Sequence, residues 1–290
     1  MHSWLGSLLI ALLATATSVI PTPAPAADRA VVFVAIDEEA ERLYGAFPVP
    51  RKLYADAIDR VRAMSGRAVA LKFFFDRPSD TGNDAALSNA LSTMPVLLQA
   101  QLISDTISGS AATALEKMTL PGAAAPRAGI EGARGLFPLP AFAEKAAAVG
   151  FVDILGDHDL DSVELVGIYR GRAVKSLWLE IIEAAFGPAT VLNGQAIAVG
   201  GVVLRWDAQG RVTCPIVSVR PLTVIPISRL LDGSLPPEQI AGKVVIVGYT
   251  GSKSPTLNIG GAREPIHLIF AEQVACLVDL IAARERANGR

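Results

Sequence analysis

The first clear pattern along the chain is an apolar, β-branched run that ends on an acidic residue. Val31 to Ile36 are all apolar, and Asp37 follows directly. Such a run is typical of a strand buried on both faces of a parallel sheet, and it would deliver Asp37 to the edge of that sheet. After a Pro-rich corner, apolar residues recur at helical spacing, which predicts a helix from Arg51 to Met64.

The alternation of apolar strands with helix-compatible segments continues along the chain. Further strands are predicted at Ala68 to Phe75, Val96 to Leu102, Val149 to Ile154, Val163 to Tyr169 and Val244 to Val247, and further helices at Asp84 to Leu91, Lys175 to Phe186 and His267 to Ala283. Asn193 to Val219 holds short strands punctuated by glycine, which predicts antiparallel hairpins. The fold class is therefore α/β: a mixed, largely parallel sheet flanked by helices, with an antiparallel hairpin region in the second half.

Two segments depart from this alternation. Residues 1–26 are apolar and contain no Lys, Arg, Asp or Glu, and they end on the small-x-small pattern Ala24-Pro25-Ala26. This predicts a signal peptide, with an uncleaved anchor as the alternative because the first residues lack a Lys or Arg. We expect one exported domain over residues 27–290, periplasmic or extracellular, with no later membrane span. Residues 110–135, rich in Ala, Gly, Pro and Thr, predict a long loop or insertion.

Composition and charge limit the classes of partner that this chain is expected to bind. A hydrophobic content of 51% provides a sizeable core, and the formal net charge of −2 comes from interspersed charges. No basic face for nucleic acid results, so we expect no nucleic-acid partner. Cys214 and Cys276 are interpreted as two small buried hydrophobes, with a disulfide as the alternative if the fold brings them together.

Three features suggest catalysis or a bound ion or cofactor, but none has the residues and spacing that such a site requires. The loop after Gly248 lacks the spacing of a phosphate-binding loop, and the alternation of Asp157, Asp159 and Asp161 lacks the glycine and glutamate of a calcium loop. His267 is interpreted as a capping or packed histidine rather than a base. We therefore predict no catalytic residue, no metal site and no cofactor.

The candidate ligand-binding residues are Asp37, Arg51, Lys72 and Asp76. They belong to the ends of two strands, expected to be adjacent and parallel, and to the corner between them, and ligands bind at such strand ends. A structural alternative has Asp37 capping the corner or pairing with Arg51, and Lys72 neutralised by Asp37, because buried charges are costly unless paired.

The order of these segments resembles the type-two CHASE domain, the extracytoplasmic sensory module of bacterial cyclases and histidine kinases. The resemblance rests on three motifs. The first is a strand ending in Ile-Asp before a Gly-x-x-Pro-x-Pro-Arg corner, which here is Ile36, Asp37, Gly45, Pro48, Pro50 and Arg51. The second is a Gly-Phe-Val strand before an Asp-rich turn, at Gly150 to Asp161, and the third is a Gly-Lys-Val-Val-Ile-Val-Gly strand, at Gly242 to Gly248. It implies a sensory module that binds a small molecule or a partner receptor without catalysis.

Departures from the family pattern qualify this expectation. Lys72 stands where the family usually carries an acid, so the ligand is expected to differ, and no membrane-spanning output region follows in this sequence. We therefore expect a stand-alone module that works through a membrane receptor or output protein, with a homodimer contact open on the apolar segment Phe270 to Ile281. Two other classes stay open: an exported metal-dependent hydrolase using the Asp-rich turn, and an envelope scaffold using residues 112–135 as a contact surface.

Overall fold

A computed structural model describes residues 30–127, 129–153, 160–192, 195–214, 222–259 and 261–287. Its helices are α1 (Glu38–Tyr44), α2 (Arg51–Ala63), α3 (Thr81–Ala90), α4 (Ala111–Met118), α5 (Pro140–Ala143), α6 (Leu177–Phe186), α7 (Ile227–Leu231) and α8 (Ile266–Ala287), with a 3-10 turn at Pro237–Gln239. Its strands are β1 (Val31–Ile36), β2 (Ala68–Leu71), β3 (Val96–Ala100), β4 (Ile103–Ser108), β5 (Glu131–Gly132), β6 (Arg134–Leu136), β7 (Ala148–Phe151), β8 (Ser162–Glu164), β9 (Val166–Tyr169), β10 (Arg172–Lys175), β11 (Thr190–Val191), β12 (Ala196–Val199), β13 (Val202–Arg205), β14 (Arg211–Thr213), β15 (Val224–Pro226), β16 (Val244–Tyr249), β17 (Thr256–Ile259) and β18 (Ala262–Pro265).

A six-stranded parallel sheet forms the centre of the fold, in the order β15-β1-β16-β2-β3-β7. Every residue of β1, β2, β3, β7 and β16 is buried, as expected for strands covered on both faces. The predicted α/β class with a largely parallel sheet is confirmed.

Helices cover both faces of this sheet because successive strand residues point in opposite directions. In β1, Val32, Val34 and Ile36 join a core with α2, α3 and α7, whereas Val31 and Phe33 join a second core with α6 and α8. Gly150 in β7 allows the start of α6 to approach the sheet, since a Cβ there would lie 2.4 Å from the backbone nitrogen of Leu177.

Short antiparallel pairs occupy the second half of the chain, as predicted. They are β9 with β10, β11 with β12, β12 with β13, β8 with β14, and β17 with β18. The predicted strand Val163 to Tyr169 is broken at Leu165 into β8 and β9. The predicted second strand is also too long, because β2 ends at Leu71 and the residues that follow it form a loop.

Residues 110–135 are not a continuous loop. They contain α4 and β5, and Ala114, Met118 and Ile130 are buried in the core. The Ala-rich composition hid the helix because its apolar face is made of only a few side chains. Most of the predicted aspartate-rich turn, Asp157 to Asp161, lies outside the described residues, which resume at Leu160.

The interpretation of the two cysteines as unlinked hydrophobes is wrong. Cys214 and Cys276 form a disulfide that joins the end of β14 to the middle of α8 across 62 positions of sequence. Cys214 is buried and Cys276 packs against the same core. Their separation in the sequence gave no indication of this contact.

Within the described ranges, α8 is the one helix long and apolar enough to cross a membrane by length and composition. The expectation that no segment after the N-terminal one meets this test is therefore wrong. Half of the 18-residue apolar stretch of this helix is buried inside the protein, however. In this structure α8 serves as a core helix, with Phe270, Val274 and Leu277 packed against the sheet.

Candidate ligand-binding site

A pocket of about 420 Å³ opens at the carboxyl ends of β2, β3 and β7. We call it the Lys72 pocket. Its polar lining comes from the residues that follow or end these strands and from the start of α8: Lys72, Gln99, Gln101, Asp153 and His267. Its apolar lining is Phe47, Phe73, Phe74, Val152, Pro255, Leu257 and Ile266. Size, position and an apolar wall with few polar groups are those of small-molecule sites.

Strand register brings Lys72 and Gln99 together. Leu71 of β2 pairs with Leu98 of β3 in a parallel ladder, so the next residue of each strand lies side by side on the same face. Lys72 Nζ donates a hydrogen bond to Gln99 Oε1 at 3.0 Å. Both side chains are buried, and the Lys72 ammonium lies 5.1 Å from the centre of the Phe270 ring.

The ammonium of Lys72 is short of negative partners. Across the described ranges no carboxylate lies within 4.0 Å of it. Burial lowers the pKa of Lys72 to about 7, and the more distant carboxylate of Asp153 opposes this shift. The side chain is therefore poised to change its charge near neutral pH.

Asp153 closes the pocket on the β7 side and holds the chain that follows β3. Its Oδ2 accepts from the backbone N–H of Leu102 at 2.6 Å, and its Oδ1 accepts from that of Ile103 at 2.9 Å. Burial raises the pKa of Asp153, whereas these backbone hydrogen bonds and Lys72 lower it. Both carboxylate oxygens are thus occupied by structural donors.

His267 contributes the start of α8 to the pocket. Its Nδ1 accepts a hydrogen bond from the backbone N–H of Tyr249 at 3.0 Å, which assigns the ring proton to Nε2. Burial, and then the charge of Lys72, lower the pKa of His267 to about 3, so the ring is neutral. The interpretation of His267 as a packed histidine is confirmed, and Gly248 provides room for it because a Cβ there would lie 3.1 Å from the His267 Cβ.

An aromatic wall forms the outer side of the pocket. The Phe47 ring stacks on Tyr249 with centres 4.2 Å apart, and the Phe73 ring meets His267 edge-on at 5.4 Å. Glu41 fixes this corner, since its carboxylate accepts from the Phe47 N–H and the Tyr249 hydroxyl. The backbone hydrogen bond from Phe47 is the main reason why the pKa of Glu41 is lowered.

A second pocket, of about 630 Å³, lies on the other side of this aromatic wall and is lined by Arg51 and Asp76. Arg51 is already committed to structural contacts. Its guanidinium donates to Asp84 Oδ1 at 2.6 Å and to the carbonyl of Arg77, and it lies 5.4 Å from the centre of the Phe75 ring. Asp76 makes one long ion pair, 3.7 Å, with Arg77.

The four predicted site residues are thus only partly brought together. Lys72 lines the first pocket, Arg51 and Asp76 line the second, and Asp37 lines neither. Asp37 caps α1 instead, with its Oδ1 accepting from the Ala40 N–H at 2.9 Å. The alternative in which Asp37 pairs with Arg51 or neutralises Lys72 is therefore wrong, because α1 begins immediately after β1 and takes the carboxylate as its cap.

Sequence reasoning missed Gln99, Gln101 and Asp153, although the signal was present. Each is a polar residue in or directly after an otherwise apolar strand, which is the pattern that singled out Asp37. His267 was interpreted as a capping or packed residue and not as a ligand-binding one. In the part of the chain that the structure describes, no cluster of three or more His, Cys, Asp or Glu could hold a metal.

The parallel sheet with a pocket at its strand ends defines an α/β domain of the kind that carries small-molecule sites. The chain matches the family model of the CHASE2 domain over residues 7–258 of 290 and belongs to this family of extracytoplasmic sensory domains. No curated protein and no solved structure matches the chain. The resemblance drawn from the strand and corner motifs is confirmed.

Proposed function

We propose that this chain is an exported sensory module that binds a small molecule in the Lys72 pocket and has no catalytic activity of its own. The observation that carries the proposal is a buried lysine that forms no ion pair with any described residue, placed at the strand ends of the sheet inside a pocket of about 420 Å³. A charge of this kind costs stability, so its place in a pocket favours a role in binding.

The family supports the sensory part of this proposal, because CHASE2 domains are sensory. A sensor must change a neighbour when it binds, and the pocket is well placed for that. Ile266 and His267 belong both to the pocket and to the first turn of α8, which runs 22 residues away from it. Ligand contact at this end would act on the whole helix, and a membrane receptor or output protein is the partner we expect to read it.

A thermal-shift screen of the purified full chain against small periplasmic metabolites tests the proposal. A ligand that binds the native state raises the unfolding temperature with the logarithm of its excess. Leu257→Trp fills the pocket from its partly exposed hairpin, whereas Leu43→Trp makes the same change at a site that is 52% exposed and is not part of the pocket lining. Shifts lost in the first variant and kept in the second support the site.

If no metabolite shifts the unfolding temperature, the small-molecule proposal fails and direct binding of a receptor takes its place. Co-purification of the wild-type chain and both variants with membrane proteins then tests the binding of a receptor.

Export is tested independently by cell fractionation and by the intact mass of the recovered chain. We expect a periplasmic protein cleaved after Ala26; a retained N-terminus would identify the segment as an anchor instead.

A further inference from the structure

In the Lys72 pocket, N–H donors outnumber the acceptors that the described residues pair with them. The Lys72 ammonium has three N–H donors, and Gln99 Oε1 is the one acceptor among the described residues that a hydrogen bond joins to it. Asp153, the one acidic residue among the described lining residues, already receives the Leu102 and Ile103 N–H groups. Among the described residues, the Lys72 ammonium therefore keeps N–H donors without an acceptor, and an anionic ligand would supply acceptors for them.

A second donor faces the same space. Because His267 Nδ1 accepts from Tyr249, its Nε2 carries the proton, and no described residue accepts from that atom. Lys72 and His267 are close enough for the charge of one to lower the pKa of the other. A carboxylate has two oxygens and would accept from both groups at once.

The rest of the pocket suits a flat apolar body. Phe47, Phe73 and Phe74 supply aromatic lining, and Pro255 and Leu257 supply aliphatic lining from the start of the β17–β18 hairpin. The ring of Phe74 is unusual because it remains 40% exposed at the rim of both pockets. Aromatic faces and edges of this kind pack well against another ring.

We propose that the ligand is a small aromatic carboxylate, with its carboxylate bound by Lys72 Nζ and His267 Nε2 and its ring packed against the phenylalanine rings of the lining. This inference rests on the proposed function, since it names the class of molecule that the sensory pocket takes. It gives Lys72 and Gln99 distinct roles: Lys72 contacts the ligand, whereas Gln99 positions the ammonium.

The test compares matched probes on the purified full chain by thermal shift and by calorimetric titration. Benzoate and 3-phenylpropanoate are the carboxylates, benzamide and 3-phenylpropanamide their neutral counterparts, phenylalanine the amine-bearing analogue, and acetate the anion without a ring. We expect benzoate and 3-phenylpropanoate alone to bind, and to raise the unfolding temperature by about 5 °C at a hundredfold excess over Kd. Lys72→Met should weaken them about tenfold or more.

Lys52→Met is the control, because Lys52 is an exposed lysine of α2 that pairs with Asp56. It should leave the affinity unchanged. Amides that bind as well as carboxylates, or undiminished binding in a folded Lys72→Met chain, would overturn the ligand class while leaving a binding pocket. Binding by a different class of metabolite that Leu257→Trp abolishes would do the same. If neither these probes nor the wider screen binds, the proposed function fails with it.

Discussion

Lys72 Nζ and Gln99 Oε1 lie 3.0 Å apart, side by side on two parallel strands, with an amide standing where a carboxylate partner would be expected. An amide satisfies one N–H of the ammonium but does not neutralise its charge. The residues that the structure describes therefore compensate the charge of this buried cation only weakly. This arrangement has measurable consequences even without a ligand.

Replacing Lys72 should stabilise the protein. Lys72→Met keeps the length of the side chain and removes the buried charge, and we expect a gain of about 1–2 kcal/mol at pH 6. The pKa of Lys72 is about 7 in the folded chain and 10.5 for an ordinary lysine. Between these values the unfolded chain holds the proton that the folded chain has lost, so wild-type stability rises with pH there and the gain shrinks. Urea unfolding of the two chains at pH 6 and pH 9.5 measures the gain and its decrease with pH. A variant that is less stable than the wild type at pH 6 would contradict the assignment of Lys72 as a weakly compensated buried charge.

Lys175 provides the opposite case in the same protein. Burial alone would lower its pKa, but Glu180 and Glu183 raise it, with their oxygens 2.7 Å and 2.9 Å from Nζ. Lys175→Met leaves two acidic groups together, one of them buried, and should cost about 3 kcal/mol of unfolding free energy at pH 7. The same urea titration measures it. Equal effects of the two lysine substitutions would show that burial, rather than pairing, controls both.

The sequence predicted the fold better than the site, for a physical reason. Apolar periodicity reports which residues a sheet or helix buries, and it located β1, β16, α2 and α6 to within a few residues. The apolar pattern of a strand does not report which strands lie beside it in the sheet. Asp153 joins the pocket because β7 pairs with β3, and His267 joins it because α8 returns to the end of β16, which one sequence alone does not specify.

His267 should make the protein sensitive to acid. The pKa of His267 is about 3 in the folded chain and 6.5 for an ordinary histidine. Between pH 3 and pH 6.5 the unfolded chain therefore binds a proton that the folded chain does not bind. Stability is then lost as the pH falls from 6.5 toward 3, by up to about 1.4 kcal/mol per pH unit from this group. His267→Gln can still accept from Tyr249 but does not titrate. We expect it to lose about 2 kcal/mol less than wild type between pH 6 and pH 4; parallel pH profiles would refute this.

Asp153 should matter more for stability than Asp37, although both end apolar strands. Asp153→Ala leaves the Leu102 and Ile103 N–H groups without their acceptor and should cost about 2–3 kcal/mol. Asp37→Ala removes one helix cap and should cost about 1 kcal/mol. Asp153→Asn, which keeps one acceptor oxygen, should fall between them. Denaturant midpoints of the three variants give the order, and a larger loss for Asp37→Ala would reverse it.

The disulfide connects stability to the compartment. A link that closes 62 positions of chain restricts the unfolded state, and this contributes about 4 kcal/mol in the chain-entropy description. Cys214→Ala with Cys276→Ala should therefore lower the unfolding free energy by about that amount, and reductant should lower it for the wild type but leave the double variant unchanged. Disulfides persist in oxidising compartments. Thiol labelling of the denatured chain from fractionated cells should accordingly detect no free cysteine in exported protein, whereas two free thiols in every fraction would argue against export.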